Sequence, residues 1–146
     1  MIVLVAVDLS PASEKVVAAA GRVATQTGAE VYVLHAAEPE PDFVGYDAGP
    51  EVVRGQVARE YREEHRGVQQ LADGLRADGI EATALLVRGP TVVTTLAQAE
   101  KLGAELIVVG SHGHGAIYDV LVGSYSAGVL RGAKVPVLVV PTREGD

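Results

Sequence analysis

Short runs of apolar residues, rich in Val, Ile and Leu, recur along the chain and are separated by longer stretches of mixed polarity. Three of them, Ile2–Val7, Glu30–Leu34 and Leu106–Val109, are short enough to be strands rather than helices. Two more, Ala82–Val87 and Val135–Val140, extend the series. Because these runs are mostly continuous instead of alternating, they are typical of strands that are buried on both faces in a parallel sheet covered by helices.

The stretches between the strands carry apolar residues at the spacing of amphipathic helices. The first predicted helix has Ser10 as its N-cap and Pro11 at its first helical position, and it ends at Gly28. Three further helices are predicted, and they span Pro50 to Asp78, the residues after Pro90, and Ser124 to Gly132. The alternation of strands and helices predicts an open, doubly wound parallel sheet with right-handed crossovers.

Composition and charge narrow the possible classes of protein. A chain of 146 residues with 48% hydrophobic residues has the material for one core, so residues 1–146 are expected to form a single domain. A net charge of −7 argues against nucleic-acid binding, which needs clustered Lys and Arg. No cysteine is present, which excludes disulfides, thiolate metal sites and cysteine nucleophiles. The apolar segment Met1–Asp8 resembles neither a signal peptide nor a membrane span, so we expect a cytoplasmic protein.

A glycine-rich segment follows the fourth predicted strand and leads into the last predicted helix. It contains Gly110, Gly113 and Gly123, and it places Ser124 and Ser126 at the start of that helix. Glycine lets backbone amides approach a ligand without a Cβ in the way, and a helix N-terminus adds unpaired N–H groups and the positive end of the helix dipole. The segment therefore predicts a phosphate site.

The segment matches neither of two common nucleotide-binding motifs. It is not a Walker loop, since no Gly-Lys-Ser or Gly-Lys-Thr occurs, and it is not the dinucleotide fingerprint, because Gly113 and Gly115 are not followed by a glycine at position 118. From the residues alone, ordinary turns and helix caps remain an alternative. His112 and His114 could also face one metal ion, but we interpret them as loop histidines and predict no metal site on protein ligands.

The spacing of the segment resembles a known signature. Gly110, two residues, Gly113, nine residues and then Gly123-Ser124 is similar to the Gly-2x-Gly-9x-Gly-Ser/Thr signature of the ATP-binding branch of the universal stress protein family. This resemblance implies an adenine-nucleotide alpha-hydrolase-like fold, an α/β sheet of five strands in the order 3-2-1-4-5. It also implies an ATP-binding regulatory protein of the stress response.

The resemblance extends along most of the chain. The residues Val7–Ser10 are similar to the family's opening Val-Asp-Gly-Ser, with Leu9 in place of the glycine. His35 closes the second predicted strand as a histidine commonly does in the family, and Leu130–Pro141 resembles the family's closing segment. A second departure is Tyr125, which is larger than the usual small aliphatic residue.

The family's nucleotide contacts can be carried over position by position. Ala6, Val7 and Asp8 would line the adenosine end, with Asp8 on the ribose hydroxyls, and Ala36 would offer its backbone to the adenine edge. Gly110 would contact the ribose. His112 and Gly113 would lie at the phosphate entrance. The polyphosphate would contact Gly123, Ser124, Tyr125 and Ser126. ATP, or ADP or AMP, is the implied cofactor, with Mg²⁺ bridging the phosphates.

Catalysis is expected to be slow or absent. Between Gly110 and Ser126 there is no Lys or Arg to neutralise charge in phosphoryl transfer. Binding without fast turnover is therefore expected, with an unknown regulatory protein partner. The alternatives are a slow ATPase or phosphotransferase that uses the same pocket, and an interaction protein in which the nucleotide is vestigial.

Two further expectations concern the surface. The run Val135–Val140 would be an outer strand, apolar and uncharged, and soluble monomers normally avoid such an edge. We therefore expect a homodimer joined through this strand, as the family resemblance also implies. The irregular connection over residues 38–49 starts at the ligand-binding edge of the sheet, so it is either a plain connection or a lid.

Overall fold

The computed structural model describes residues 1–38, 50–112 and 122–142. In these ranges, strands and helices alternate strictly along the chain. The elements are β1 (Ile2–Ala6), α1 (Ser13–Thr27), β2 (Glu30–Ala37), α2 (Pro50–Ala77), β3 (Ala82–Arg88), α3 (Thr91–Leu102), β4 (Leu106–Gly110), α4 (Ser124–Gly132) and β5 (Val137–Val140). No helix within the described ranges is long and apolar enough to cross a membrane.

The five strands form one parallel sheet in the order β3-β2-β1-β4-β5, which confirms the predicted fold class. β1 lies at the centre, with Val5 opposite Val33 of β2 on one side and opposite Val108 of β4 on the other. The chain leaves β1 toward β2 and later returns to β4 on the opposite side. The strand order therefore reverses between β1 and β4, and this is the point at which doubly wound sheets bind ligands.

Two hydrophobic clusters cover the two faces of the sheet. Val3 and Val5 of β1 pack into a cluster that includes Val16 of α1 and Val68 of α2. Alternate residues of the same strand, beginning with Leu4, belong to a second cluster with residues of α3 and α4. Because successive side chains of a strand point to opposite faces, a strand buried on both faces must be apolar at every position. This explains why the strands are continuous apolar runs.

The start of α1 differs from the prediction. The helix begins at Ser13, and Ala12 occupies the N-cap position without a side-chain hydrogen bond. Ser10 is not the cap: its N–H donates to Asp8 Oδ1 at 2.9 Å, and its carbonyl oxygen accepts from Ser13 N at 3.0 Å. The Asp8 carboxylate holds the chain in a turn at this point, so the helix starts two residues later than Ser10 and Pro11 indicated.

Two strands also differ from their predicted bounds by more than one residue. β2 continues to Ala37, where it pairs with Arg88, so His35 lies within the strand and does not close it. β5 begins only at Val137, because the proline at 136 has no N–H to donate. Pro136 still takes part through its carbonyl oxygen, which accepts from Ile107 N at 3.1 Å. These shifts leave the predicted order of elements unchanged.

Candidate functional site

The loops that follow β1 and β4 start side by side at the carboxyl edge of the sheet. Val3, Leu4 and Val5 of β1 are in register with residues 106–108 of β4, so the two strands end almost level. Asp8 lies on the first loop and is exposed, whereas Ser111 and His112 open the second and are buried. Asp8 and the residues from Ser111 onward, which the sequence proposes for the site, therefore lie on two neighbouring loops.

The Asp8 carboxylate is oriented by its own loop. Its Oδ1 accepts from Ser10 N at 2.9 Å and from Ser13 Oγ at 3.3 Å. These hydrogen bonds hold the side chain at the end of β1 beside the first turn of α1. A carboxylate fixed in this way can accept from the two hydroxyls of a ribose.

Leu9 occupies a left-handed backbone conformation, with φ of 62°, where the family resemblance implies a glycine. A leucine reaches this region at a cost of roughly 1–2 kcal/mol. Its side chain packs against α2: a Cβ built on Gly67 would lie 3.3 Å from Leu9 Cδ2. The loop after β1 therefore keeps the conformation suited to glycine, and the leucine uses it to contact α2.

The end of β2 presents its backbone toward β1. Leu34 O accepts from Val7 N at 2.9 Å, and Ala37 O accepts from Gly89 N at 2.9 Å. The backbone N–H and C=O groups of even-numbered residues in β2 therefore face β1, and those of odd-numbered residues face β3. The N–H and C=O of Ala36 consequently point to the β1 side, beyond the last residue of β1. This orientation suits the predicted contact between the Ala36 backbone and an adenine edge.

His35 connects three elements beside this edge. Its Nδ1 donates to Val7 O at 2.8 Å, so Nδ1 carries a proton. Its Nε2 lies 3.2 Å from Glu64 Oε2 of α2. Both ring nitrogens are therefore used to hold β1, β2 and α2 together, so His35 has a structural role.

The N-terminus of α4 faces the same edge of the sheet. Gly123 is its N-cap, and Gly123 N donates to Ser111 O at 2.7 Å. The first bond inside the helix runs from Ala127 N to Gly123 O at 2.9 Å. The amides of Ser124, Tyr125 and Ser126 therefore have no acceptor within the helix, and they lie at the positive end of its dipole.

The side chains of Tyr125 and Ser126 bond within the protein. Ser126 is buried, and its hydroxyl donates to Gly110 O. Tyr125 OH lies 2.6 Å from Thr95 Oγ1, and since Thr95 itself donates to Thr91 O, the tyrosine is the donor. Any contact of these two residues with a ligand would therefore come from their backbone amides.

The pKa of Tyr125 reports on its surroundings. Burial raises this pKa to about 12, and the side-chain hydrogen bond between Tyr125 and Thr95 offsets part of the rise. The Asp8 carboxylate adds to it, because a negative charge opposes ionisation of the phenol. The phenol of Tyr125 therefore stays protonated at neutral pH.

A hydrogen-bond cluster around Thr142 was not predicted from the sequence. Thr142 Oγ1 accepts from His112 N and donates to His112 O, both at 3.1 Å. Ser111 Oγ accepts from Thr142 N at 3.0 Å and lies 3.0 Å from His112 Nδ1. A hydroxyl residue soon after the last apolar strand is the one signal that the sequence offered. These contacts fix the first two residues of the loop after β4.

Some predicted residues lie outside the described residues. These are Gly113 of the proposed site, His114 of the pair His112 and His114, and residues 39–49 of the long connection. Ala6 and Val7 are buried at the end of β1, close to Asp8. In the parts of the chain that the structure describes, no three His, Asp or Glu side chains are grouped so as to hold a metal ion.

Comparison with known proteins matches the chain to one family. The family model described as "Universal stress protein family" matches residues 1–141. A universal stress protein of Thermus aquaticus is 32% identical over 144 residues, which cover 94% of this chain and 96% of the relative. Universal stress protein A homolog 2 of Coxiella burnetii is 34% identical over 142 residues, covering 94% and 92%.

Solved structures share the fold. The universal stress protein UspA from Lactobacillus plantarum superposes with a TM-score of 0.81 at 20% identity, over 96% of this chain and 97% of that chain. A universal stress protein in complex with cAMP has a TM-score of 0.72 at 27% identity, over 98% of both chains. The universal stress protein from Archaeoglobus fulgidus in complex with dAMP has a TM-score of 0.70 at 23% identity, over 96% and 97%.

Proposed function

The chain belongs to the universal stress protein family, and from this premise we propose that it binds an adenine nucleotide, with ATP as the first candidate. The site would lie at the carboxyl ends of β1 and β4. The observation that carries the proposal is the N-terminus of α4, whose N-cap Gly123 donates to Ser111 O on the loop after β4, the strand that pairs with β1 and lies beside the loop of Asp8. The solved relative in complex with cAMP supports the adenine-nucleotide class.

The adenosine end of the site would be formed by β1 and β2. The Asp8 carboxylate, held by Ser10 and Ser13, would accept from the ribose hydroxyls. The backbone of Ala36 would pair with the adenine edge, because its N–H and C=O point past the end of β1. Gly110 and the buried end of β1, Ala6 and Val7, would line the space between them.

The phosphate end would rest on α4. The amides of Ser124, Tyr125 and Ser126 would donate to phosphate oxygens, and the exposed hydroxyl of Ser124 would add one more donor. His112 and Gly113 would lie at the phosphate entrance. Because the segment between Gly110 and Ser126 has no Lys or Arg, we propose that Mg²⁺ neutralises the remaining charge by bridging phosphate oxygens.

We propose a regulatory role, in which nucleotide occupancy changes the shape of the chain or its choice of protein partner. The cytoplasmic location is part of this proposal. A ligand-identification experiment tests the nucleotide class: the purified full chain is denatured, and the released small molecules are identified by mass spectrometry. After exhaustive removal of ligand, ATP, ADP, AMP and cAMP then compete against one fluorescent adenine nucleotide. Failure of all four to compete at millimolar concentration would overturn the proposal.

The second candidate function is a slow ATPase or phosphotransferase. The lack of basic residues between Gly110 and Ser126 predicts turnover far below the median of about 10 per second for enzymes. Single-turnover hydrolysis of ATP separates the two candidates. Steady hydrolysis at enzyme-like rates that is abolished by Asp8→Ala would favour the enzyme over the regulatory protein.

A further inference from the structure

Thr142 extends the pairing of β4 with β5 by means of its side chain. The two strands are in register as far as Gly110 and Val140, and Ser111 N continues the pairing by donating to Val140 O at 2.8 Å. Beyond this point Thr142 Oγ1 takes the place of a backbone partner, since it bonds both the N–H and the C=O of His112 at 3.1 Å. One hydroxyl thus satisfies two backbone groups of a buried residue.

The same residue also secures Ser111. Thr142 N donates to Ser111 Oγ at 3.0 Å, and the two hydroxyl oxygens lie 3.2 Å apart. Ser111 O in turn accepts from Gly123 N at 2.7 Å, the N-cap of α4. Ser111 and His112 are therefore held on one side by Thr142 and on the other by the start of the helix that would bind phosphate.

The methyl group of Thr142 has a separate packing role. A Cβ built on Gly110 would lie 3.0 Å from Thr142 Cγ2 and 3.2 Å from Val16 Cγ2. The space above Gly110 is thus occupied by the threonine methyl and by α1. Because the methyl and the hydroxyl act on different neighbours, substitutions can remove one and leave the other.

We propose that Thr142 is a positioning residue for the phosphate end of the nucleotide site. It sets the backbone of Ser111 and His112, and through the Ser111–Gly123 bond it sets their distance from the N-terminus of α4. The proposal rests on the proposed nucleotide-binding function. Thr142 acts through these residues and does not itself bind the ligand.

The adenosine end does not share this dependence. Asp8 is oriented by Ser10 and Ser13, and the Ala36 backbone is oriented by the pairing of β2 with β3. The hydrogen bonds of Thr142 run instead to Ser111 and His112. Loss of the Thr142 hydroxyl should therefore weaken the binding of each ligand in proportion to its phosphate contacts. A general loss of structure would weaken the binding of every ligand.

The test compares two variants of the full chain. Thr142→Val keeps the shape and removes the hydroxyl, and Thr142→Ser keeps the hydroxyl and removes the methyl. Affinities are measured by calorimetric titration with ATP and Mg²⁺, and separately with adenosine. Thr142→Val should lose about a tenfold factor in ATP affinity, because the buried backbone groups of His112 lose the Thr142 hydroxyl. Its adenosine affinity should stay the same as that of the wild type. Thr142→Ser should restore most of the ATP affinity.

A second measurement needs no ligand. Amide hydrogen exchange at His112 should be faster in Thr142→Val than in wild type, and close to wild type in Thr142→Ser. Equal ATP affinity in wild type and Thr142→Val, or equal losses for ATP and adenosine, would overturn the positioning role alone. A wild-type chain that binds neither ligand would overturn the proposed function, and the positioning role with it.

Discussion

Leu9 is the residue at which local strain and packing oppose each other. Its φ of 62° favours glycine, but its side chain contacts α2 at Gly67. Leu9→Ala should lose the packing and keep the strain, whereas Leu9→Gly loses the same packing and relieves the strain. We therefore expect Leu9→Gly to be more stable than Leu9→Ala by about 1 kcal/mol, measured as the free energy of unfolding in urea.

The matched control for this pair is Leu130, an exposed leucine in regular α4 backbone. At that position the order should reverse, because glycine is less favourable than alanine in a helix by about 1 kcal/mol. If alanine is the more stable substitution at both positions, Leu9 is not strained in the folded protein.

The raised pKa of Tyr125 predicts that the folded protein loses stability at high pH. Its pKa rises from 10.0 in a free tyrosine to about 12 in the folded protein. Between these values the unfolded chain releases the proton while the folded chain keeps it, so the free energy of unfolding falls as the pH rises, by at most about 1.4 kcal/mol per pH unit. Below this window both states are protonated and Tyr125 adds no pH dependence.

Tyr125→Phe removes this group and leaves the remaining tyrosines in place. Chemical denaturation at about pH 9 and about pH 11 should show a smaller decrease in the variant than in the wild type. At neutral pH the variant should lose about 1 kcal/mol, because the hydrogen bond to Thr95 is gone. Equal decreases with pH in both proteins would contradict the assigned burial of the phenol.

At the scale of elements, the contact between α3 and α4 depends on glycine. A Cβ built on Gly128 would lie 2.9 Å from Val92 Cγ2, and a β-branched side chain cannot easily move away. Gly128→Ala should therefore gain little or lose stability in the wild type. In a Val92→Ala background the same change should gain up to about 1 kcal/mol from helix propensity.

A double-mutant cycle by urea denaturation measures this coupling. Gly74→Ala on α2 is the matched control, since a Cβ at that exposed position meets no heavy atom within 4 Å. It should show the propensity gain alone. If Gly128→Ala has the same effect with valine and with alanine at position 92, the two helices do not meet as the structure shows.

The elements themselves were largely predictable because their signals are local. Continuous apolar runs identify strands buried on both faces, and Gly28 ends α1 in a left-handed conformation, with φ of 75°. The predicted cap at Ser10 was wrong because the Ser10 amide donates a hydrogen bond to the Asp8 side chain, which holds Ser10 in a turn before the helix. Helix propensities do not predict such a side-chain contact. The extra length of β2 depends on its pairing with β3, a long-range contact that no local pattern shows.

The positions in the fold of the residues proposed for the site were largely predictable, but the hydrogen bonds of their side chains were not. The pattern of the sequence predicts the end of β4 near Gly110 and the start of α4 at Ser124, and the structure confirms both. The inward bonding of Tyr125 depends on Thr95, which lies 30 residues away in sequence. Thr142 is likewise recognisable only once β5 is placed beside β4. Contacts between distant segments carry these roles, so the sequence alone could not assign them.

At the scale of the whole molecule, β5 is an outer strand of the sheet, as the proposed homodimer requires. Leu138 is exposed on this strand, whereas Val140 is buried in the core with a relative exposure of 6%. Leu138→Asp is therefore the clean test, and a charge at position 140 would disrupt folding as well. We expect the wild type to sediment as a dimer and Leu138→Asp as a monomer.

Val93→Asp is the control for that experiment, because Val93 is exposed on α3, away from the sheet edge. It should leave the sedimentation of the wild type unchanged. A wild-type chain that is already monomeric at tens of micromolar would contradict the dimer, as would a dimer that persists in Leu138→Asp.

The central claim is that the start of α4 holds the phosphates of an adenine nucleotide, and calorimetric titration of the full chain with ATP and Mg²⁺ tests it most directly. Gly123 has φ of −66°, which any residue can adopt, so Gly123→Val should fold while its side chain fills the phosphate space. Gly74→Val, at an exposed position of α2, is the matched control. We predict saturable ATP binding by the wild type and by Gly74→Val, and no measurable heat from Gly123→Val. Equal binding by all three proteins, or no binding by the wild type at millimolar ATP, would contradict the claim.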